Sequence, residues 1–289
     1  EFPELQGRVG EHYARLDGEP AGAAAALAGQ YLPRGEWDPV LDDDAAAAVS
    51  LAEKADSLAA YFSIDEGPTG TADPFGLRRH ALGLLRILAK KEWPISIEAA
   101  LRPACDAWRL LPPAREALHA FVWGRADQIA RTWGFTDFVD AVGTMTARPY
   151  FEYRLRLLAL RELSGRKSWR DLVALVERTG NMGAATGRTV GPALPPEAAA
   201  LRDAIDSFEP GEEPVKFAVR YLEVFGPRVA RLFEKVLVED PKDPERSRAI
   251  KHLLHEVHAL FADRLGDLRR LGSGAKPPSP GSASRREPD

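Results

Sequence analysis

The stretch Asp73-Pro74-Phe75-Gly76-Leu77-Arg78-Arg79-His80-Ala81-Leu82-Gly83-Leu84-Leu85-Arg86-Ile87-Leu88-Ala89-Lys90-Lys91 decides the fold class. Leu77, Ala81, Leu84, Leu85 and Leu88 recur at threes and fours, which places them on one face of a helix with 3.6 residues per turn. Asp73 before Pro74 reads as a cap followed by a first-turn proline, an ordinary helix start. Upstream, Ala45, Val49, Ala52, Ala55, Ala59 and Phe62 repeat the pattern. Downstream, Pro112-Pro113 opens another helix, and Ser168 with Asp171 three residues on has the spacing of a capping box. No stretch alternates with period two. The spacing predicts helices near 20–32, 44–62, 74–91, 96–110, 113–133, 135–146, 150–164, 169–183, 196–208, 214–239 and 243–270, an all-α chain.

At 289 residues the chain suits two helical domains. A break is expected near residues 103–113, around Pro103 and Pro112-Pro113, giving domains of residues 1–110 and 111–271. Asp65 to Ala72 and Gly187 to Pro196 read as loops, and Gly272 to Asp289 has almost nothing to bury and is expected to be disordered. With 45% hydrophobic and 28% charged residues the chain can bury a core. No apolar run approaches the ~18 residues of a membrane span, and the first residues lack the plan of a signal peptide, so a soluble protein is expected. A single cysteine, Cys105, excludes an internal disulfide or a cysteine-built zinc cage and suits a reducing compartment, with the cytoplasm as the expected location. Cys105 itself reads as a small packed residue. The chain opens at Glu1 without a methionine and reads as a piece of something longer. No repeat of fixed period is present, which disfavours a solenoid.

The net charge of −4 conceals an asymmetry. Residues 1–74 carry a balance of −11, residues 75–188 a balance of +8 and residues 189–289 a balance of −1. Of the 39 basic residues 30 are Arg, whose planar fork matches phosphate and base edges better than an ammonium does. A polyanion is drawn to the middle third and repelled by the first. The competing explanation is that these charges solvate helix faces.

A set of strings appears in a particular order. Glu1-Phe2-Pro3-Glu4-Leu5-Gln6-Gly7 is followed by Tyr13-Ala14 with Asp17-Gly18-Glu19, by Tyr31-Leu32-Pro33-Arg34 and by Leu51-Ala52-Glu53-Lys54-Ala55-Asp56-Ser57-Leu58. Then come Pro68-Thr69-Gly70, Asp73-Pro74-Phe75-Gly76-Leu77-Arg78-Arg79 and Ala81-Leu82-Gly83-Leu84-Leu85-Arg86-Ile87. This succession resembles the C-terminal half of the β subunit of bacterial glycyl-tRNA synthetase. Gly134-Phe135 with Asp140-Ala141-Val142, Arg156 with Leu160, Trp169 to Leu172, and Arg178 with Asn181 resemble the next domain of that family. Phe233-Glu234-Lys235-Val236-Leu237-Val238, Arg246 and Leu253-Leu254 resemble its closing helices. The likeness covers about residues 1–271, dense before residue 91 and sparse after 113.

The resemblance implies the C-terminal portion of an HD-like helical domain over residues 1–110 and a DALR-like anticodon-binding bundle over 111–271. It also implies tRNA(Gly) and the synthetase α subunit as partners in a hetero-oligomer of an aminoacyl-tRNA ligase. ATP and Mg belong to the α subunit in such an enzyme, so this chain is expected to hold no cofactor and no residue that performs ligation.

Within that frame, Arg79, Arg86 and Lys90 fall on one broad face of a helix that also carries Arg78 at its start, so the four are expected to meet the acceptor side of tRNA. Arg78 could instead pair with an acid of the first third. Arg178 and Asn181 lie one turn apart near a helix end and are expected on the anticodon side, where a guanidinium and an amide can read unstacked bases. A capping role is the rival. Trp123, Trp133, Phe135 and Trp169 could stack bases, although such spacing is usually core. His252, His255 and His258 recur every third residue on a helix, but a metal helix more often spaces its ligands by four, and no metal is expected. HD phosphohydrolases need a His-Asp pair, and no such dipeptide occurs here. Glu53 stands where the family resembled carries Asp, which argues against that enzyme class. Gly67-Pro68-Thr69-Gly70-Thr71 resembles no phosphate-cradling loop, so ATP binding is not expected. A helical scaffold that binds only protein is the remaining alternative.

Overall fold

The structure is a computed structural model that describes residues 2, 5–68, 73–145, 147–183, 194–211 and 213–271. The predicted loops at Asp65 to Ala72 and Gly187 to Pro196 lie partly outside the described residues, and the predicted disordered tail lies wholly outside them. Among the described residues there are twelve α-helices and no strand, as the apolar spacing requires. None is long and apolar enough to cross a membrane.

The chain divides into two compact units. The first holds α1 (Arg8–Leu16), α2 (Ala21–Gly29), α3 (Asp44–Ser63), α4 (Leu77–Lys91), α5 (Ile97–Ala107), α6 (Pro112–Thr132) and residues 144–154. Its centre is α3, which packs against α2, α4, α5 and α6. Ala46, Ala47, Ala55 and Ala59 of α3 are buried, and such short side chains let four neighbours approach closely. Leu77, Ala81, Leu84, Leu85 and Leu88 of α4 are buried as their spacing demands, each leucine contributing about 1.5–3 kcal/mol of transfer free energy. Asp43 caps α3 by accepting the Ala46 N–H at 2.8 Å, and Ser96 caps α5 by accepting that of Ala99 at 3.1 Å.

The break expected at residues 103–113 does not coincide with the division between the units. Helix α5 runs straight through Pro103, and Pro112 is the first residue of α6, where its missing N–H costs nothing. Both helices pack on α3, so the first unit continues to Gly134. Helix α4 begins at Leu77 and not at Pro74, because Asp73 to Gly76 forms a turn in which the Gly76 N–H bonds to the Asp73 carbonyl and Gly76 adopts φ +68°. Asp73 still caps the helix, its carboxylate accepting the N–H groups of Leu77 and Arg78 at 2.7 and 3.1 Å. Helix α1 has no counterpart in the predicted set. It buries only Ala14 and leaves Val9, Tyr13 and Leu16 exposed, so it carries no buried stripe to read.

The second unit comprises α7 (Thr136–Val142), the part of α8 (Tyr150–Ser164) from Leu155 onward, α9 (Trp169–Met182), α10 (Pro196–Asp206), α11 (Pro214–Lys235), α12 (Pro244–Leu265) and a 3-10 turn at Leu268–Arg270. Its core is aromatic. Phe217, Tyr221, Phe225 and Phe261 are fully buried with neighbouring ring centroids 5.1–6.1 Å apart, and the Tyr221 hydroxyl donates to the Val257 carbonyl at 3.0 Å. The capping box expected at Ser168 is absent: Ser168 precedes α9 in helical conformation, and its side chain accepts no capping bond. Helix α12 stops at Gly266, short of the predicted residue 270, because Gly266 leaves helical space at φ +113°.

Candidate nucleic-acid interface

Helix α4 carries the basic side chains that the sequence spacing groups together, but the strip is interrupted. Arg79 and Lys90 are exposed. Between them Arg86 is 8% exposed, and its Nη1 donates to the Gly35 carbonyl at 2.7 Å. Burial holds its pKa below the ordinary arginine value, opposed by the carboxylates of Asp38 and Glu36. Arg86 therefore ties α4 to the loop around Gly35 and does not offer its charge on the surface, which corrects its expected place in a continuous phosphate track. Arg78 is half-buried and close enough to Arg125 to add to the burial that lowers the Arg125 pKa. Removing Arg86 with Arg86→Ala is expected to cost about 1–3 kcal/mol by leaving the partly buried Gly35 carbonyl without its charged donor. Urea titration reads that loss; an unchanged midpoint would return Arg86 to the set of surface contacts.

Beside Arg79 lies a cleft of about 340 Å³, walled by α3, the start of α4 and the segment around Tyr31. Lys54 forms its floor, 2% exposed, with Nζ donating to the Leu32 carbonyl at 3.2 Å and to the Ser50 hydroxyl at 3.0 Å. Burial pushes the Lys54 pKa down, and Glu53 beside it acts in the opposite sense. Glu53 accepts from the Ser57 hydroxyl at 3.3 Å and lies 3.8 Å from Nδ1 of His80. Arg34 and Arg79 stand at the rim, Arg34 with its guanidinium 5.8 Å from the Tyr31 ring centre. Tyr61 and Phe75 stack at 4.3 Å, and Phe75 is 39% exposed. One carboxylate and one imidazole among three cations make a poor holder of a divalent ion and a good receiver of an anion. Among the described residues no three His, Cys, Asp or Glu side chains gather as metal ligands.

In the second unit, Arg178 and Asn181 are exposed near the end of α9. The Arg178 guanidinium lies 4.5 Å over the Phe233 ring, which holds its fork in place while leaving it in reach of solvent. Trp169 and Phe135 are buried there, and Trp123 is buried in the first unit. Their stacking role is therefore replaced by core packing, and of the four aromatics only Trp133 retains partial exposure. The three histidines of α12 diverge in environment. His258 is buried with Nδ1 3.2 Å from the Val176 carbonyl, whereas His252 pairs with Glu256 at 3.6 Å.

The profile of the glycyl-tRNA synthetase beta subunit family matches residues 1–144. The glycine-tRNA ligase beta subunit of Anaeromyxobacter dehalogenans is 34% identical across 95% of this chain and 42% of its own length. That of Myxococcus xanthus is 32% identical across 94% of this chain and 42% of its own length. The subunit of Lawsonia intracellularis is 38% identical over 63% of this chain and 27% of its own length. The chain belongs to the glycyl-tRNA synthetase β-subunit family. It spans about two fifths of the length of the first two relatives.

The family strings dense before residue 91 are the ones that build the cleft. Tyr31 and Arg34 come from one string, Glu53 and Lys54 from a second, and Phe75 and Arg79 from a third. Sequence reasoning singled out Arg79 and Glu53 but missed Arg34, Lys54 and His80 as neighbours, since only the packing of α3 on α4 brings positions so far apart in sequence together. Gly83 was the available signal: a Cβ there would lie 2.4 Å from Lys54 Cε.

Burial also holds the imidazoles of His80, His119 and His258 below the ordinary histidine value of 6.5. In the unfolded chain these groups take up protons near that value, while the folded chain resists until lower pH. Their contribution to stability is thus complete above about pH 6.5 and falls as pH drops below it. The urea midpoint at pH 5.5 is expected to lie below that at pH 7.5; an equal or higher midpoint would contradict this assignment.

Proposed function

We propose that this chain is the tRNA-holding portion of a glycine-tRNA ligase β subunit, positioning tRNA(Gly) so that its 3′ end meets the active site of the α subunit. The observation that carries this reading is the relationship to glycine-tRNA ligase beta subunits along 95% of the chain. Positioning is a catalytic contribution in itself, because holding the reacting end in place removes the entropy of a bimolecular encounter. On this reading the chain holds no ligation residue, and ATP and Mg act in the α subunit. The positively charged cleft wall and the lone carboxylate-imidazole pair at Glu53 and His80 favour phosphate binding over metal-assisted phosphate cleavage.

Arg78, Arg79 and Lys90 are the proposed contacts on the acceptor side, with Arg86 supporting them from beneath. Such phosphate contacts position the RNA and carry no sequence information. The double substitution of Arg79 and Lys90 by Ala is expected to weaken all tRNAs alike and to reduce the slope of log affinity against log salt by about 1 per lost contact. On the proposed anticodon side, Arg178→Ala or Asn181→Ala is expected to penalise tRNA carrying the glycine anticodon by about 1–3 kcal/mol per base contact. Filter binding with glycine and non-glycine tRNA separates these outcomes. A uniform loss from Arg178→Ala would demote it to a backbone contact, and no loss would leave it to the Phe233 stack alone.

A further inference from the structure

The cleft between α3 and α4 has features that a continuous phosphate track does not require. It is concave, it is lined by aromatic as well as basic groups, and its volume of about 340 Å³ falls within the range of small-molecule sites. We propose that it is a binding site for one nucleoside monophosphate unit, with the phosphate held by Arg34 and Arg79 and the base laid against the Tyr61–Phe75 stack. This rests on the RNA-binding reading above only for the source of that unit, not for its chemistry.

Three observations converge on this chemistry. The first is charge. Among the described lining residues Arg34, Lys54 and Arg79 outnumber one carboxylate, Glu53, with Asp38 beside the Arg34 backbone, and this balance suits a phosphate group. Lys54 is held rigidly, its ammonium donating to the Leu32 carbonyl and the Ser50 hydroxyl, so it acts through its field, while the exposed guanidiniums of Arg34, which also donates to the Gln6 carbonyl at 3.4 Å, and of Arg79 supply the donors at the rim.

The second is the aromatic pair. Tyr61 and Phe75 stack with planes 22° apart, and the outer ring keeps 39% of its surface exposed at the cleft. A stacked pair ending in an exposed ring offers a face to any base, a sequence-tolerant contact. Glu53 lines the same cleft, and its carboxylate can accept from ribose hydroxyls.

The third is a cradle that other side chains would fill. Gly76 adopts φ +68°, and a Cβ there would lie 2.7 Å from Arg79 Nη2, so glycine allows the Arg79 guanidinium to rest over the backbone at the cleft edge. A larger residue at Gly76 would displace the fork.

Adenosine monophosphate is the probe for the full 289-residue chain, read by isothermal titration calorimetry. Binding is expected, weakened at least about tenfold when adenosine replaces the monophosphate. A loss of about tenfold is expected for Phe75→Ala. Because Phe75 is partly exposed, circular dichroism is expected to show the fold intact; Arg34→Ala with Arg79→Ala, two rim residues, supplies the second test and is expected to abolish the preference for monophosphate over adenosine. A second arm titrates a tRNA transcript with and without its unpaired 3′-terminal nucleotides. Weaker binding of the truncated transcript identifies an RNA end as the source, and unchanged binding alongside tight monophosphate binding identifies a free nucleotide. If adenosine monophosphate does not bind and truncation has no effect, the site proposal is overturned. The tRNA-holding reading stands or falls separately, on whether intact tRNA binds at all.

Discussion

Gly266→Ala is expected to destabilise the second unit by about 3–5 kcal/mol, the combined cost of a backbone region open only to glycine and of a clash with rigid atoms. Gly266 closes α12 at φ +113° and ψ 169°. A Cβ at that position would lie 2.4 Å from the Ala141 carbonyl oxygen and 2.8 Å from its carbon, and backbone atoms cannot rotate aside. The same carbonyl accepts the Asp267 N–H at 2.8 Å, so relieving the clash breaks the bond that fastens the end of α12 to α7. Gly211→Ala is the control. Gly211 also has positive φ, at +65°, but nothing lies within 4 Å of its Cβ position. Its expected cost is only the left-handed strain of about 1–2 kcal/mol. Equal urea midpoints for the two variants would show that the contact with Ala141 contributes nothing.

Gly83→Ala carries the second large effect, and its sign is informative. Alanine favours a helix interior over glycine by about 1 kcal/mol, so propensity alone predicts stabilisation. Position 83, however, faces Lys54 Cε at 2.4 Å and the Pro33 carbonyl oxygen at 2.8 Å. The lysine stem is buried and cannot swing into solvent, so overpacking is expected to win with a net loss of about 1–3 kcal/mol. Gly124→Ala in α6 meets nothing within 4 Å and is expected to stabilise by up to about 1 kcal/mol. The two substitutions are chemically identical and lie in helix interiors of the same unit. Thermal denaturation showing the same sign for both would remove Gly83 as the residue that makes room for Lys54.

These contrasts indicate what a sequence makes legible. Helices such as α3 and α4 follow from apolar spacing and caps because a one-sided stripe determines both the element and the face it buries. Helix α1 does not, since it buries a single alanine. Pro112 marks the start of α6 correctly and Pro103 sits inside α5, but the extent of a unit depends on what α5 and α6 pack against, and that is a tertiary fact. The same distinction governs the candidate site. Helical periodicity places Arg79, Arg86 and Lys90 on one face, yet it cannot tell that the loop at Gly35 reaches over and takes Arg86 out of contact with solvent. Arg178 and Asn181 remain exposed because α9 turns that side outward, with Phe233 beneath the guanidinium. Family strings carry further than periodicity here, since the three that wall the cleft are dense in the first ninety residues and become adjacent only in the fold.

The measurement that bears most directly on the tRNA-holding role is a filter-binding titration of the chain against tRNA(Gly) and a non-glycine tRNA at two salt concentrations, with helicity checked by circular dichroism. The expected result is binding to both that weakens steeply with salt, a preference for tRNA(Gly), and a shallower salt slope when Arg79 and Lys90 are replaced by Ala. A folded chain that binds neither tRNA at the lower salt concentration would contradict the account.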